Sequence, residues 1–164
     1  MNKIDKLLSK AFDLCEDDNF SDALKLYDLA LKQEPENVYA LIDKGVTLQN
    51  LGKIKQAIKY FDKVLCTDPK NINALVNKGA SLHRSEKYKD AIKCYDTALK
   101  VDHNCAMALA YKGLSLGELG NLTDALKHFK KALSIDHDYD LANISKDMVE
   151  ELLESIKKQK SKIQ

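Results

Sequence analysis

The residues with the best claim on chemistry in this chain are its four histidines and four cysteines. Their spacing argues against most of what they could do. His103 and Cys105 stand two apart, and His137 follows thirty-four residues after His103. That set invites a metal, but it is not the spacing of a local zinc motif, and zinc holds its ligands at about 2 Å. The bland reading, helix-end histidines beside free carbonyls, fits better, so no metal and no cofactor are expected. Cys15, Cys66, Cys94 and Cys105 form no C-x-x-C pair and read as free thiols in a reducing compartment.

Catalytic arrangements are missing as well. There is no G-x-x-x-x-G-K-[ST] loop, no H-E-x-x-H helix, no nucleophile elbow and no carboxylate pair in an apolar setting. The chain is therefore not expected to be an enzyme. His83 and Arg84 read as a solvated helix end. Lys plus Arg number 26 against 25 Asp plus Glu, so the phosphate attraction behind most nucleic-acid binding is lacking. No stretch stays apolar for the ~18 residues of a membrane span, and Met1-Asn2-Lys3-Ile4-Asp5 opens no secretory signal. These features lead to the expectation of a cytoplasmic protein that binds neither membrane nor nucleic acid.

The elements that would carry any site announce themselves by repetition. Ala40-Leu41-Ile42-Asp43-Lys44-Gly45 returns as Ala74-Leu75-Val76-Asn77-Lys78-Gly79 and Ala108-Leu109-Ala110-Tyr111-Lys112-Gly113. Ala23-Leu24-Lys25-Leu26-Tyr27 returns at Ala57, Ala91 and Ala125 with the same thirty-four-residue step. Four units follow, at about 4–37, 38–71, 72–105 and 106–139, in a single domain over 1–164. Each holds two stretches with apolar residues at i, i+3, i+4 and i+7, the mark of an amphipathic helical hairpin.

Turn-friendly or polar residues at Asp17-Asp18-Asn19, Leu51-Gly52-Lys53, Ser85-Glu86-Lys87 and Leu119-Gly120-Asn121 break each hairpin. Pro35 and Pro69 stop the second helix, and Asn37 and Asn71 can cap the next. Ala11, Gly45, Gly79 and Gly113 are expected to face Ala23, Ala57, Ala91 and Ala125, letting the two helices approach. Tyr27, Phe61, Tyr95 and Phe129 are expected to fill the wedge towards the next hairpin. Lys25–Asp28, Lys59–Asp62 and Lys93–Asp96 read as i, i+3 pairs on the outer face. A helix at about 140–158, with Leu141, Ile144, Met148, Leu152 and Ile156 on one face, would close the array, followed by a frayed basic tail at 159–164.

This pattern resembles the tetratricopeptide repeat family. The small residue at the eighth place of each unit, Ala at the twentieth, the aromatic at the twenty-fourth, Ala30, Ala98 and Ala132 at the twenty-seventh and proline at the thirty-second all match. Val64, the leucines at Leu7, Leu41, Leu75 and Leu109, and His103 and His137 depart from it. The histidines stand where the family has proline and lead to the expectation of softer helix ends in the last two repeats. The resemblance implies an all-α, right-handed α-solenoid of four hairpins plus a C-terminal capping helix, with the first helices on a concave surface. It further implies a binding groove at places two, five, six and nine of each first helix. The expected partner-binding residues are Phe12, Tyr39, Ile42, Asp43, Val46, Asn73, Val76, Asn77, Ala80, Met107, Tyr111 and Leu114.

A module that holds a peptide or helix of another protein is the function this implies. Chaperone-binding members grip a terminal carboxylate with a two-Lys, two-Asn, one-Arg clamp. The matching positions here hold Leu8, Phe12, Asp43, Asn73 and Asn77, or, one repeat later, Ile42, Val46, Asn77, Met107 and Tyr111. Asp43 would repel a carboxylate, so a neutral, apolar or mildly basic segment is expected. The alternative is a scaffold that self-associates into homo-oligomers through its C-terminal helix or terminal repeat.

Overall fold

A computed structural model describes residues 2–161, with side chains to Gln159. Among the described residues the chain forms nine helices and no strand: α1 Lys3–Glu16, α2 Phe20–Gln33, α3 Val38–Asn50, α4 Ile54–Thr67, α5 Ile72–Arg84, α6 Tyr88–Val101, α7 Ala106–Glu118, α8 Leu122–Ile135 and α9 Asp140–Ser161. Each helix packs on the next, and the odd-numbered helices also touch one another, α1 on α3, α3 on α5, α5 on α7 and α7 on α9. The even-numbered helices do not meet. A stack whose members touch along one side only must curve towards that side. The result is an all-α solenoid with α1, α3, α5, α7 and α9 on its inner face.

Local chemistry sets the helix ends. Asn37 and Asn71 accept from the amides of Ala40 and Ala74, both at 3.0 Å, and Asn2 forms a reciprocal capping box with Asp5. Cys105, at the start of α7, offers no such cap. The second helices stop at the same place with or without proline: α4 ends before Asp68-Pro69, while α6 and α8 end before Asp102-His103 and Asp136-His137. Asp68, Asp102 and Asp136 each accept from the amide two residues on, at 3.1, 2.9 and 3.3 Å. This Asx turn supplies the stop that proline supplies elsewhere.

The tight approach inside each hairpin differs in one respect from the expectation. The neighbour that demands a glycine is the aromatic at the twenty-fourth place. A Cβ on Gly45 would stand 2.5 Å from Cε1 of Phe61 and one on Gly113 2.6 Å from Cε1 of Phe129. Tyr27, Phe61, Tyr95 and Phe129 are all fully buried. The ring lies across the first helix of its own hairpin and is closed over by the next, as Phe61 shares a cluster with Val64 and Ala74.

The charge pairs also differ. Lys25, Lys93 and Lys127 reach back to Asp22, Asp90 and Asp124 at 2.7, 2.8 and 3.1 Å. Asp28, Asp62 and Asp96 instead cross to the following hairpin, where they pair with Lys44, Lys78 and Lys112. Burial pulls the Lys44 ammonium down, but the hydrogen bond it donates to Asp28 and the facing Tyr60, 4.5 Å from ring centroid to nitrogen, outweigh it and keep it above its ordinary value. These pairs tie repeat to repeat. At the last junction the pattern inverts: Lys130 meets Glu150 at 2.9 Å, and Lys146 turns to Asp147.

Helix α9 packs through Leu141, Ala142, Ser145 and Val149. Ile144, Met148 and Leu152, expected on the buried face, are exposed. They continue the inner face of the solenoid, because α9 takes the position of a fifth first helix. It runs through Ser161, past the boundary expected near 158, since Lys157-Lys158-Gln159 are good helix formers with no breaker among them. The rest of the expected tail, 162–164, lies outside the described residues.

Candidate binding groove

The groove is built from five inner helices that each present the same few places. At the ninth place Phe12, Val46, Ala80, Leu114 and Met148 form a row running the length of the concave face. Phe12 and Met148 are 57% and 65% exposed, and Tyr39, at the second place of α3, is 74% exposed. Met107 is exposed beside them. Large apolar side chains in water at one face cost free energy that a partner can recover, at about 25 cal/mol per Å² covered.

The twelve expected residues divide by burial. Phe12, Tyr39, Asn73 and Met107 stand out into solvent, while Asp43, Val46, Asn77, Ala80, Tyr111 and Leu114 are half-buried. Val76, at 2% exposure, belongs to the core between α5 and its neighbours and offers nothing to a partner. Ile42, at 9%, is buried too and only edges the cleft between α3 and α5. At the fifth place Ile42, Val76 and Ala110 are buried, while at the two ends Leu8 is half-buried and Ile144 exposed. Tyr111 is held by the core as well, stacked on Tyr95 with centroids 6.1 Å apart. Asn77 donates its amide to the Asn73 carbonyl at 2.9 Å. The exposed amide of Asn73 remains available as donor and acceptor.

Asp43 is the electrostatic feature of the groove. It lies between two clefts, one lined by Phe12, Val46, Thr47 and Asn50 and the other by Tyr39, Ile42 and Asn73. Its carboxylate makes no ion pair or hydrogen bond among the described residues, and burial pushes its pKa above the usual carboxylate range.

Beneath the groove runs a ladder that periodicity did not reveal. The twelfth place of one inner helix bonds the tenth place of the next: Cys15 Sγ lies 3.4 Å from Thr47 Oγ1, Gln49 Nε2 donates to Ser81 Oγ at 2.6 Å, and His83 Nδ1 lies 2.9 Å from Ser115 Oγ. Gln49 also reaches the Asn77 carbonyl, and Arg84 donates to the Gln49 carbonyl at 2.9 Å. Burial lowers the His83 pKa against the opposing pull of Glu118, which suits a neutral ring in this position. The only signal was a recurrent hydroxyl, Thr47, Ser81 and Ser115, at a buried place. At the last junction the corresponding residues are Gly117 and Val149, and the ladder stops. A cleft opens there, lined by Leu114, Gly117, Leu122, Phe129, Met148, Val149 and Leu152 together with the polar Glu118 and Ser145.

His103 and His137 are exposed, and among the described residues no three of His, Cys, Asp and Glu converge to hold a metal ion. All four cysteines are free thiols. No described helix is long and apolar enough to cross a membrane.

Two family models match the chain: that of anaphase-promoting complex, cyclosome, subunit 3 over residues 16–98, and that of the tetratricopeptide repeat over residues 71–138. Among solved structures, TTC0263, a thermophilic TPR protein of Thermus thermophilus, is similar at a TM-score of 0.80 and 19% identity, covering 89% of this chain and 80% of that one. MamA residues 41 to the end from Desulfovibrio magneticus RS-1 superposes at 0.72 with 23% identity, covering 94% and 97%. The first TPR of Spaghetti (RPAP3), bound to the HSP90 peptide SRMEEVD, superposes at 0.67 with 22% identity, covering 71% and 92%. At these identities the likeness is one of fold. No curated protein sequence matches the chain.

Proposed function

The chain belongs to the tetratricopeptide repeat family, and from that premise we propose that it is a protein-binding module that holds a segment of another protein against its concave face. The observation that carries this reading is the apolar row of exposed Phe12 and Met148 and half-buried Val46 and Leu114, accompanied by exposed Tyr39 and Met107. Tyrosine in such a setting buries much area at little cost in order, and methionine adapts its shape to irregular partners. Binding rather than catalysis suits a lining of apolar side chains and amides. The solved relative from Spaghetti carries the peptide SRMEEVD; an unpaired Asp43 and the lack of lysines at the clamp positions argue against an acidic peptide here.

Self-association by stacking at the C-terminal end has less support. The outer side of α9 carries Asp147 at the eighth place, where the hairpins need alanine or glycine, together with exposed Glu151 and Glu154. A second copy stacked there would have to strip water from these carboxylates and from the Lys146–Asp147 pair.

A photo-crosslinking amino acid placed at Tyr39 or Met107 tests the reading in the source cell, with Lys59 on the exposed side of α4 as control. Adducts to another protein from the two groove positions and none from Lys59 are expected. Adducts from Lys59 alone, or adducts only between copies of this chain, would move the working surface elsewhere.

A further inference from the structure

Resting on that reading, we propose that the bound segment is cationic and apolar: an extended stretch whose lysine or arginine seats on Asp43 and whose bulky apolar side chain, some two and a half repeats further on, enters the cleft beneath Gly117.

The first anchor follows from charge. Asp43 is half-buried, faces two clefts of the groove and has no counter-ion among the described residues. Asp5 and Glu16 add negative charge at the same end of the concave face, while no lysine or arginine occupies places two, five, six or nine of any inner helix. Arg84, near the end of α5, donates to the Gln49 carbonyl. The groove is therefore acidic on a chain whose formal net charge is +1, so the sign belongs to the site and not to the molecule. An ammonium or guanidinium brought to Asp43 gains a partly desolvated partner and relieves a carboxylate that folding left unpaired; a carboxylate brought there is repelled.

The second anchor follows from the interrupted ladder. At three junctions a twelfth-place side chain bridges to a hydroxyl on the next inner helix and fills the space between them. At the fourth, Gly117 has no side chain and Val149 no hydroxyl. A Cβ added at Gly117 would meet no atom within 4 Å. The opening is lined by Leu114, Leu122, Phe129, Met148 and Leu152, with Glu118 and Ser145 as its polar members, a mainly apolar setting that favours leucine, methionine or phenylalanine. With inner helices spaced by about 10 Å, the two anchors lie roughly 25 Å apart, or about eight residues of extended chain at 3.3 Å each.

A random twelve-residue peptide library displayed on phage is the probe, selected in parallel on the wild type, Asp43→Lys, Gly117→Leu and the double variant Tyr39→Ala/Val46→Glu, each verified as helical by circular dichroism. Peptides recovered on the wild type are expected to be enriched in Lys or Arg and to carry one bulky apolar residue towards one end. Asp43→Lys should reverse the charge preference, and Gly117→Leu should erase the apolar preference while leaving the charge preference in place. In a synthetic peptide from the wild-type set, changing the basic residue to Glu should weaken binding about tenfold or more, read by fluorescence anisotropy. Wild-type peptides without charge bias, or Gly117→Leu peptides indistinguishable from them, would overturn the inference while the groove reading stands. No enrichment on the wild type, or equal enrichment on the double variant, would remove both.

Discussion

A methyl group on Gly113 would stand 2.6 Å from Cε1 of Phe129, whereas one on Gly117, a single turn further along the same helix, would touch nothing within 4 Å. Two glycines of one helix thus have opposite reasons for being there. Alanine is the better helix former by about 1 kcal/mol. Gly117→Ala is therefore expected to raise stability by about that amount, and Gly113→Ala to lower it by about 1–3 kcal/mol as the ring is displaced. Chemical denaturation of the two variants beside the wild type reads both signs at once.

Among the described residues the hydroxyl of Tyr95 is buried without a hydrogen-bond partner, and Ser115, the nearby hydroxyl, is engaged by His83. A buried unsatisfied hydroxyl costs about 1–3 kcal/mol. Tyr95→Phe, which reproduces what the second and fourth hairpins already carry at Phe61 and Phe129, is expected to raise the melting temperature. Tyr95→Ala is expected to lose about 3–5 kcal/mol through the cavity it leaves. A Phe variant less stable than the wild type would reveal a partner for that hydroxyl.

Each hairpin turns through one left-handed residue, Asp18, Gly52, Glu86 and Gly120, with φ of 56°, 71°, 59° and 78°. Glycine takes this conformation freely, aspartate tolerates it, and glutamate is strained there by about 1 kcal/mol or more. Glu86→Gly is expected to stabilise by about 0.5–1 kcal/mol, and the reverse change at Gly52 or Gly120 to destabilise. Thermal melts of Glu86→Gly and Gly52→Glu, which should move in opposite directions, check the assignment.

Asp43 carries its own pH signature. Burial raises its folded pKa above the unfolded value near 3.9, so the folded state binds the proton more tightly and loses stability as pH rises through that window. Asp43→Asn removes the ionisation. It is expected to melt higher than the wild type at neutral pH, with the difference shrinking to nothing as the carboxylate protonates. A difference that is constant from pH 3 to pH 8 would show that something other than the charge sets it.

Much of the scaffold was readable because it depends on residues that recur. The alanines and glycines that let the rings in, the asparagines that cap α3 and α5, and the aromatic at the twenty-fourth place each return at a fixed step. Contacts between repeats were less readable. The Lys25–Asp28 spacing satisfies a rule for one helix, yet Asp28 lies closer to Lys44 of the following hairpin, and only the stacked geometry decides between them. On α9, Leu141, Ile144, Met148 and Leu152 share a helical stripe, but apolar spacing does not say whether a stripe faces a core or a groove. Val76 was misplaced for the same reason: a family place that faces a partner in an open superhelix is sealed here by the neighbouring inner helix.

The crossing pairs Asp28–Lys44, Asp62–Lys78 and Asp96–Lys112 use the same two charges at three successive joints, and the fourth joint reverses one of them, setting Lys130 towards Glu150. Interior hairpins are consequently interchangeable parts: a duplicate of 72–105 inserted after itself finds a matching acid behind it and a matching base ahead. The terminal unit is keyed differently and fits only where it stands. Evolution by internal duplication can lengthen such a chain in its middle, while its C-terminal end stays fixed in place by a lock of opposite polarity.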